Sequence, residues 1–178
     1  MQWAKQKQSG FTIVELLIVV VVIAILAAIT IVAYNGIQNR ANDSVVQSDL
    51  KNFFNKSMAY ATENAYSYPY TPIATLTNLN FKASKGAYAT SPQSGINLSY
   101  CANNSAPTRI GIIAMSKSGK KFYISTDSGS VKEYTGAWDS AAALPNCAGI
   151  DAALTSSFTG YVATDSTTGP WRLFVGGN

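Results

Sequence analysis

A single carboxylate at the edge of a long apolar stretch is the residue whose position most strongly suggests chemistry. Glu15 stands immediately before Leu16, and no charged side chain follows until Arg40. A carboxylate beside a bilayer-spanning helix costs roughly 3 kcal/mol unless it finds a partner. A charged residue at this position is therefore a candidate functional residue.

Enzyme chemistry, by contrast, has no recognisable signature in the sequence. The chain contains no histidine, which excludes imidazole ligation of a metal and acid–base catalysis by histidine. It also has no C-x-x-C pair, no P-loop and no Gly-x-Gly-x-x-Gly motif. Asp127-Ser128-Gly129 lacks the regularly spaced oxygens of a calcium loop and is interpreted as a turn. The sequence therefore predicts no enzyme activity, no cofactor, no metal site and no small-molecule substrate.

The element that must position Glu15 is an apolar helix. Leu16 to Ile29 is an unbroken apolar run. At ~1.5 Å per residue, residues 11–33 span ~35 Å and cover a bilayer core of ~30 Å. Lys5 and Lys7 precede the run, as the positive-inside rule expects. The cleavage site of a secretory signal peptide would follow the apolar core, whereas here the small residue Gly10 precedes it.

The stretch Gly10-Phe11-Thr12-Ile13-Val14-Glu15-Leu16-Leu17-Ile18-Val19-Val20 resembles the processing and assembly motif of type IV prepilins and pseudopilins. The resemblance covers about the first 35 residues and implies three roles. A membrane peptidase cuts between Gly10 and Phe11 and methylates the new amine of Phe11. Glu15 then neutralises that amine on a neighbouring subunit and fixes one axial register. The alternative is that Glu15 is a chance residue at the interfacial end of a membrane helix.

Two positions depart from the pattern of that family. Many members have a glycine and a proline within the apolar segment, where this chain has Ala24 and Val32. Thr30 and Gly36 are the only weak points that remain, so we expect this helix not to loosen on assembly.

An amphipathic pattern follows the apolar run and predicts that the helix continues to about Asn64. One side carries apolar residues at helical spacing, namely Val46, Leu50, Phe53, Phe54, Met58 and Ala61. The other side carries polar residues, namely Asp49, Asn52, Lys56 and Glu63. The aromatic and proline-rich stretch at residues 66–72 is predicted to end the helix.

Short alternating segments then predict an antiparallel meander, with the second segment as its central strand. The predicted strands are Asn97 to Cys101, Arg109 to Met115, Phe122 to Thr126 and Val131 to Tyr134. We further expect a short helix over residues 73–81, surface loops over 155–169 and a last strand over 171–175. The predicted fold class is thus α+β, a long N-terminal helix packed on a small antiparallel sheet, and this layout resembles the pilin head. The predicted regions are a leader at 1–10, a membrane or filament-core helix at 11–36, an amphipathic helix at 37–65 and a β-rich head at 66–178.

An even pair of cysteines in an exported domain indicates a disulfide. A bond between Cys101 and Cys147 would close a loop of about 47 residues, which stabilises by up to ~4 kcal/mol in the chain-entropy model. The alternative is two separately buried thiols in a compartment that is not oxidising.

Two side-chain sets leave alternatives open. The tyrosines Tyr60, Tyr66, Tyr68 and Tyr70 either stack on a partner or pack the junction of helix and head. A lysine set is a candidate surface for weak DNA binding through phosphate contacts, or consists of solvated loop residues. Its members are Lys82, Lys85, Lys117, Lys120, Lys121 and Lys132.

The resemblance implies a structural subunit of a type IV pilus used for attachment, motility or uptake. Its implied partners are other pilin subunits, a prepilin peptidase and the pilus assembly machinery. Before assembly the chain would cross the cytoplasmic membrane once with its head outside, and after assembly it would lie in a cell-surface pilus. The alternatives are a minor pilin or pseudopilin of a secretion or DNA-uptake system, or a membrane-anchored binding domain that never polymerises.

Overall fold

The first element is a helix, α1, that covers Ile13–Glu63. In this computed structural model the described residues are 10–69, 79, 81–89, 96–103, 108–136, 147–154 and 156–162. By its contacts the chain divides into two compact units, residues 1–38 and residues 39–178. Gly36 lies inside α1, and the helix ends within one residue of the predicted end.

The first unit contains an apolar helical segment whose side chains are not covered by the described residues of the chain. From Gly10 to Gln38 every described residue is exposed. An 18-residue window of α1 reaches a mean hydropathy of 3.4 with none of it buried, so by length and composition this helix could cross a membrane. Apolar surface of this extent marks an interaction with lipid or with other protein. The segment therefore requires an external apolar partner.

In the second unit the helix buries one face against a sheet. Val46, Leu50, Phe53 and Phe54 are buried as predicted. Two predicted orientations are wrong, since Met58 is 44% exposed whereas Asp49 is buried.

Ser57 explains why Met58 turns outward. Ser57 occupies the core position between Phe53 and Ala61, as the helical period of 3.6 residues requires. Its hydroxyl donates a hydrogen bond to the Phe53 carbonyl at 3.0 Å, which satisfies the buried polar group locally.

Asp49 is buried because it binds a segment that returns to the helix. The Ser84 N–H and the Tyr88 hydroxyl both donate to Asp49 Oδ2, at 2.8 and 3.0 Å. Further along the same flank Phe53 stacks on Phe81, with ring centroids 4.6 Å apart. Three polar or aromatic contacts thus hold residues 81–88 on α1, where sequence periodicity indicated only a solvated face.

The sheet has five antiparallel strands in the order β4-β3-β2-β1-β5. They are β1 (Ile96–Ala102), β2 (Ile110–Met115), β3 (Lys121–Ser125), β4 (Lys132–Glu133) and β5 (Ser156–Val162). The four predicted strands and their meander order are confirmed, and β2 is central as predicted. The predicted loops over 155–169 are wrong at β5, which pairs with the free edge of β1. Backbone pairing at a sheet edge tolerates the Ser, Thr and Gly that indicated a loop. The predicted strand at 171–175 and nearly all of the predicted helix at 73–81 lie outside the described residues.

The two faces of the sheet have separate cores. Leu98, Tyr100 and Ile112 belong to the cluster that packs on α1. The opposite face carries a smaller cluster, which consists of Cys101, Ile113, Tyr134, Cys147, Ile150 and Leu154.

A disulfide joins Cys101 and Cys147, with Cα atoms 5.7 Å apart, so the alternative of two separate thiols is wrong. The segment that follows Cys147 covers the sheet closely at Gly111, where an added Cβ would lie 2.7 Å from Leu154 Cδ1. The Arg109 guanidinium holds the same segment through Asp151, at 2.7 Å.

The Asp49 contacts predict how stability depends on pH. Burial raises the pKa of Asp49 above its ordinary value, although the hydrogen bonds from Ser84 and Tyr88 oppose the rise. The stability that depends on protonated Asp49 is complete below the unfolded pKa of about 3.9 and is lost as pH rises through the higher folded pKa. Asp49→Asn cannot ionise and keeps an acceptor for both donors. We expect the free energy of unfolding of Asp49→Asn, relative to that of wild type, to increase between pH 3.5 and pH 7. Denaturant titration of both proteins in detergent measures this difference.

Asp49→Leu is the companion variant, because it removes the acceptor and leaves two buried donors unpaired. It should be roughly 2–3 kcal/mol less stable than Asp49→Asn at both pH values, because neither variant ionises at this position. A wild-type protein that gains stability relative to Asp49→Asn as pH rises would contradict this account.

Candidate functional site at the N-terminal end of the helix

The bond predicted to be cleaved lies just outside the helix. Gly10 and Phe11 are exposed and precede the first helical residue, Ile13. Phe11 is 90% exposed, and among the described residues, chain neighbours apart, no atom lies within 4 Å of where a Cβ on Gly10 would stand. A peptide bond in a helix is protected by its hydrogen bonds, whereas exposed non-helical chain is the usual target of proteolysis. The structure thus leaves the bond between Gly10 and Phe11 open to an enzyme.

Thr12 and Glu15 cap the first turn of α1 reciprocally. The Thr12 N–H and the Thr12 hydroxyl both donate to Glu15 Oε2, at 2.9 and 2.8 Å. In return the Glu15 N–H donates to Thr12 Oγ1 at 3.2 Å. This is the capping box, in which a Thr at the N-cap and a Glu three residues later satisfy each other's backbone donors. The carboxylate also lies at the positive end of the helix dipole.

One oxygen of Glu15 stays open in this arrangement. Both bonds from Thr12 go to Oε2, and among the described residues no hydrogen bond to Oε1 is found. A carboxylate has about four lone-pair positions, so the cap leaves capacity for a cationic donor. The site can therefore hold a capped helix end and an ammonium group at once.

The predicted processing and assembly residues lie together, within one turn of the helix start. The predicted disulfide residues, Cys101 and Cys147, form their bond in the second unit. Thr12 is the residue that the functional interpretation of the sequence missed. Its signal was present, because the spacing Thr-x-x-Glu before an apolar run is typical of a helix N-terminus.

The structure places the lysines of this set in different surroundings. Lys121 Nζ donates to the Gly136 carbonyl and lies 5.7 Å from the Tyr134 ring centroid. Lys120 pairs with Glu133 at 3.4 Å. The exposed members are Lys82, Lys117, Lys120 and Lys132, and the side chain of Lys85 lies outside the described residues. Weak DNA binding by this set stays a prediction.

Two of the three described tyrosines of the cluster pack against the main core. Tyr60 and Tyr68 are half-buried against the main core, which supports packing over stacking on a partner. Tyr66 is 78% exposed, and Tyr70 lies outside the described residues. Ala65 and Tyr66 both have positive φ, 52° and 62°, where the chain leaves the helix. No group of three or more potential metal ligands occurs in the part of the chain that the structure describes.

Two comparisons with known proteins bear on the family of this chain. The sequence profile for the "Prokaryotic N-terminal methylation motif" matches residues 5–31. The chain is 38% identical over 93 residues to the type IV wide pilus major component PilA4 of Thermus thermophilus. That alignment covers 52% of this chain and 70% of the relative. No solved structure matches.

The long helix with an apolar first part, the small antiparallel sheet and the methylation motif define a class of fibre-forming subunits. The chain belongs to the type IV pilin family. Membership supports polymerisation with other pilin subunits and membrane anchoring by the apolar helix before assembly. It also points to a structural protein rather than an enzyme.

The capping box gives a testable local effect. Thr12→Val keeps the β-branched shape but removes the hydroxyl that joins Glu15, so the first turn should lose roughly 1 kcal/mol of stability. We expect faster amide hydrogen exchange at residues 14–16 of the full chain in detergent micelles. Thr12→Ser retains the hydroxyl and serves as the control. Equal protection in Thr12→Val and wild type would show that the cap does not hold this turn.

Proposed function

We propose that this chain is a pilus subunit made as a precursor and cleaved between Gly10 and Phe11. Phe11 is then N-methylated, and Glu15 of one subunit binds the Phe11 amine of its neighbour in the fibre. The observation that carries the proposal is the site itself. The exposed peptide bond between Gly10 and Phe11 lies outside the helix, about one helical turn from the Glu15 carboxylate. Both bonds from Thr12 go to Oε2 of that carboxylate, and among the described residues no hydrogen bond to Oε1 is found.

Cleavage supplies the positively charged partner that Glu15 lacks in the precursor. The new amine is positive at neutral pH, and it is created beside an apolar segment. Burying it in a fibre without a partner would be strongly unfavourable, whereas pairing it with a carboxylate offsets much of the desolvation. Because the pair forms only at one axial offset between helices, it selects one register of assembly.

Transfer from membrane to fibre follows from the exposed apolar helix. Lipid tails are as apolar as neighbouring helices, so side-chain packing and the Glu15–amine pair decide the difference between the two states. That difference is too small to extract the helix unaided. The proposed partners are therefore a prepilin peptidase and an assembly machinery that moves the subunit into the fibre.

The proposed topology is a single pass through the cytoplasmic membrane, with the head outside the cytoplasm before assembly and on the cell-surface pilus afterwards. The disulfide between Cys101 and Cys147 supports a head in an oxidising compartment. Residues 1–10, 11–36, 37–65 and 66–178 remain the proposed leader, membrane or filament-core helix, amphipathic helix and head.

The proposed role is that of a main fibre subunit for attachment, motility or uptake. The match to the major component of a wide pilus supports this role. A minor pilin or pseudopilin of a secretion or uptake system is the alternative. A main subunit should dominate the protein of surface fibres sheared from the native host, and a minor one should be scarce there.

The test uses two substitutions that separate charge from capping. Glu15→Gln keeps the acceptor that caps the helix but removes the charge, while Glu15→Asp keeps the charge on a shorter side chain. If the amine pair drives assembly, Glu15→Gln should abolish surface fibres although the protein stays in the membrane. Glu63→Gln, at an exposed glutamate near the other end of α1, is the matched control and should assemble normally.

The readouts are mass spectrometry of the N-terminus and quantification of sheared fibres in the native host. A mature chain that begins at methylated Phe11, with fibres lost in Glu15→Gln but present in Glu63→Gln, would establish the proposed subunit. Normal fibres in Glu15→Gln would show that Glu15 acts as a cap and not as a charge. An uncut chain in the assembled state would overturn the proposal.

A further inference from the structure

The chain leaves α1 through a hydrogen-bonded turn that presents one aromatic side chain to solvent. The Tyr66 N–H donates to the Ala61 carbonyl at 2.7 Å, and the Ser67 N–H donates to the Asn64 carbonyl at 3.0 Å. These two bonds hold the backbone of the turn in place. The side chain of Tyr66 is nevertheless 78% exposed. A phenol ring is thus displayed on a backbone that is itself fixed.

The backbone of this turn is strained in a way that ending a helix does not require. Ala65 and Tyr66 have φ values of 52° and 62°, a region that residues with a Cβ disfavour. One left-handed residue after a helix is common, although glycine usually occupies that position. A second one with a bulky side chain is unusual. Because such conformations cluster at sites of ligand and partner contact, Tyr66 is a candidate contact residue.

A cleft lies in the same unit, between α1 and the turn that leads from β3 to β4. Its volume is about 410 Å³, and pockets of roughly 300–1,000 Å³ enclose small ligands. Ile124 and Val131 supply its apolar surface. Gln47, Ser48 and Lys51 supply polar groups from α1. In the described part of the chain, none of these three polar side chains forms a hydrogen bond or an ion pair.

Each part of a phenol side chain has a counterpart in this cleft. The ring matches the apolar surface of Ile124 and Val131, and its face attracts the Lys51 ammonium in a cation–π contact. The hydroxyl can exchange hydrogen bonds with Gln47 or Ser48. The cleft therefore has the size and the chemistry to take a tyrosine side chain.

A subunit cannot fill this cleft with its own Tyr66. At ~1.5 Å per residue, α1 measures ~18 Å from Lys51 to its end at Glu63, and Tyr66 follows that end. The tyrosine and the cleft are thus two separate surfaces of one head. A contact between two different surfaces repeats from copy to copy and builds a filament, whereas a contact between identical surfaces closes a dimer.

We propose that Tyr66 of one subunit inserts into the cleft beside Lys51 of a neighbouring subunit in the fibre. The inference rests on the fibre of the proposed function and adds a contact between heads to the pair between Glu15 and the Phe11 amine. Each subunit presents its tyrosine to one neighbour and its cleft to another. The strain of the turn in the free subunit is compensated when the ring is buried in this contact.

Crosslinking of fibres from the native host tests the contact. Ser48→Cys places a thiol at the cleft and Tyr66→Cys places one at the turn, and both positions are exposed. The two native cysteines are joined in a disulfide, so a short bismaleimide reacts with the introduced thiols. We expect the double variant to give a ladder of covalent dimers, trimers and longer oligomers on a denaturing gel, and each single variant to give none.

Tyr66→Cys combined with Lys117→Cys is the matched control, because Lys117 is also exposed but does not line the cleft. This pair should give no ladder. Assembled fibres of the test pair without a ladder would overturn the proposal, as would covalent dimers alone or an equal ladder in the control pair.

The reactivity of Lys51 is a second readout that leaves the cleft unaltered. Amine acylation of Lys51, read by mass spectrometry, should be about fivefold slower in wild-type fibres than in Tyr66→Ala fibres, the factor given by a cation–π contact of ordinary strength. Tyr66→Phe keeps the ring and should retain the protection. Lys117 should react at the same rate in all three. Equal rates for Lys51 in wild-type and Tyr66→Ala fibres would overturn the proposal.

The stability of Tyr66→Ala decides the case in which this variant forms no fibres. The ring is exposed in the free subunit, so the head should unfold at the same denaturant concentration as wild type in detergent micelles. Missing fibres with unchanged stability would support the contact. A destabilised head would show that Tyr66 serves the fold of its own chain and would overturn the proposal.

This outcome is separable from the test of the proposed function. Wild-type fibres without the ladder and without protection of Lys51 would remove the contact between heads and leave processing and the Glu15 pair standing. Fibres of Glu15→Gln that still give the ladder would do the reverse.

Discussion

The structure depends above all on an apolar helical surface that the described residues of the chain do not cover. From Leu16 to Ile29 all side chains of α1 are exposed. Such a surface must be covered by lipid or by other subunits. Both environments accept it about equally well, so the apolar residues cannot by themselves select the fibre over the membrane. In the mechanism proposed above, the selection falls to the pair between Glu15 and the Phe11 amine of a neighbouring subunit, which forms only in the fibre.

The capping box explains how the Glu15 carboxylate is stabilised at this position without a cationic partner. In the precursor Thr12 supplies two donors to Glu15, so the helix start is satisfied before any partner arrives. In the proposed mechanism, cleavage creates an amine one residue before Thr12, and Glu15 Oε1, to which no hydrogen bond is found among the described residues, accepts a bond from the amine of another subunit. The geometry of the cap is compatible with that proposal, because both bonds from Thr12 go to Oε2.

The head is built so that its fold does not require the apolar segment. Both core clusters consist of residues from the second unit. On the helix side, Phe53 stacks on Phe81 and Asp49 binds Ser84 and Tyr88. On the other face the disulfide and the pair between Arg109 and Asp151 hold the segment after Cys147 on the sheet. A head stabilised in this way can keep its structure when the apolar helix changes its surroundings.

Sequence periodicity predicted the elements that bury apolar side chains, but not those that depend on polar partners. The buried face of α1 around Phe53 and the order of four strands followed from hydrophobic spacing. Asp49 was assigned to solvent because its partners, Ser84 and Tyr88, lie more than thirty residues away in the sequence. The Ser, Thr and Gly of strand β5 indicate a loop, yet backbone pairing with β1 forms a strand there.

At the start of α1, one polar feature was found from the sequence and another was overlooked. Glu15 could be singled out from the sequence because a charge in an apolar run is conspicuous. Its bond to Thr12 was overlooked, although that bond is local and its spacing is typical of a helix start. Local polar motifs are thus within reach of sequence reasoning, whereas long-range polar contacts need the folded structure.

The most direct test of the central claim is a cryo-electron microscopy map of native fibres in which side chains at the helix starts are visible. The account predicts the Phe11 amine of one subunit within ~3 Å of the Glu15 carboxylate of another, with Thr12 still bonded to Glu15 in each chain. A map in which Glu15 binds only its own chain, or lies against apolar side chains without a cation, would contradict it.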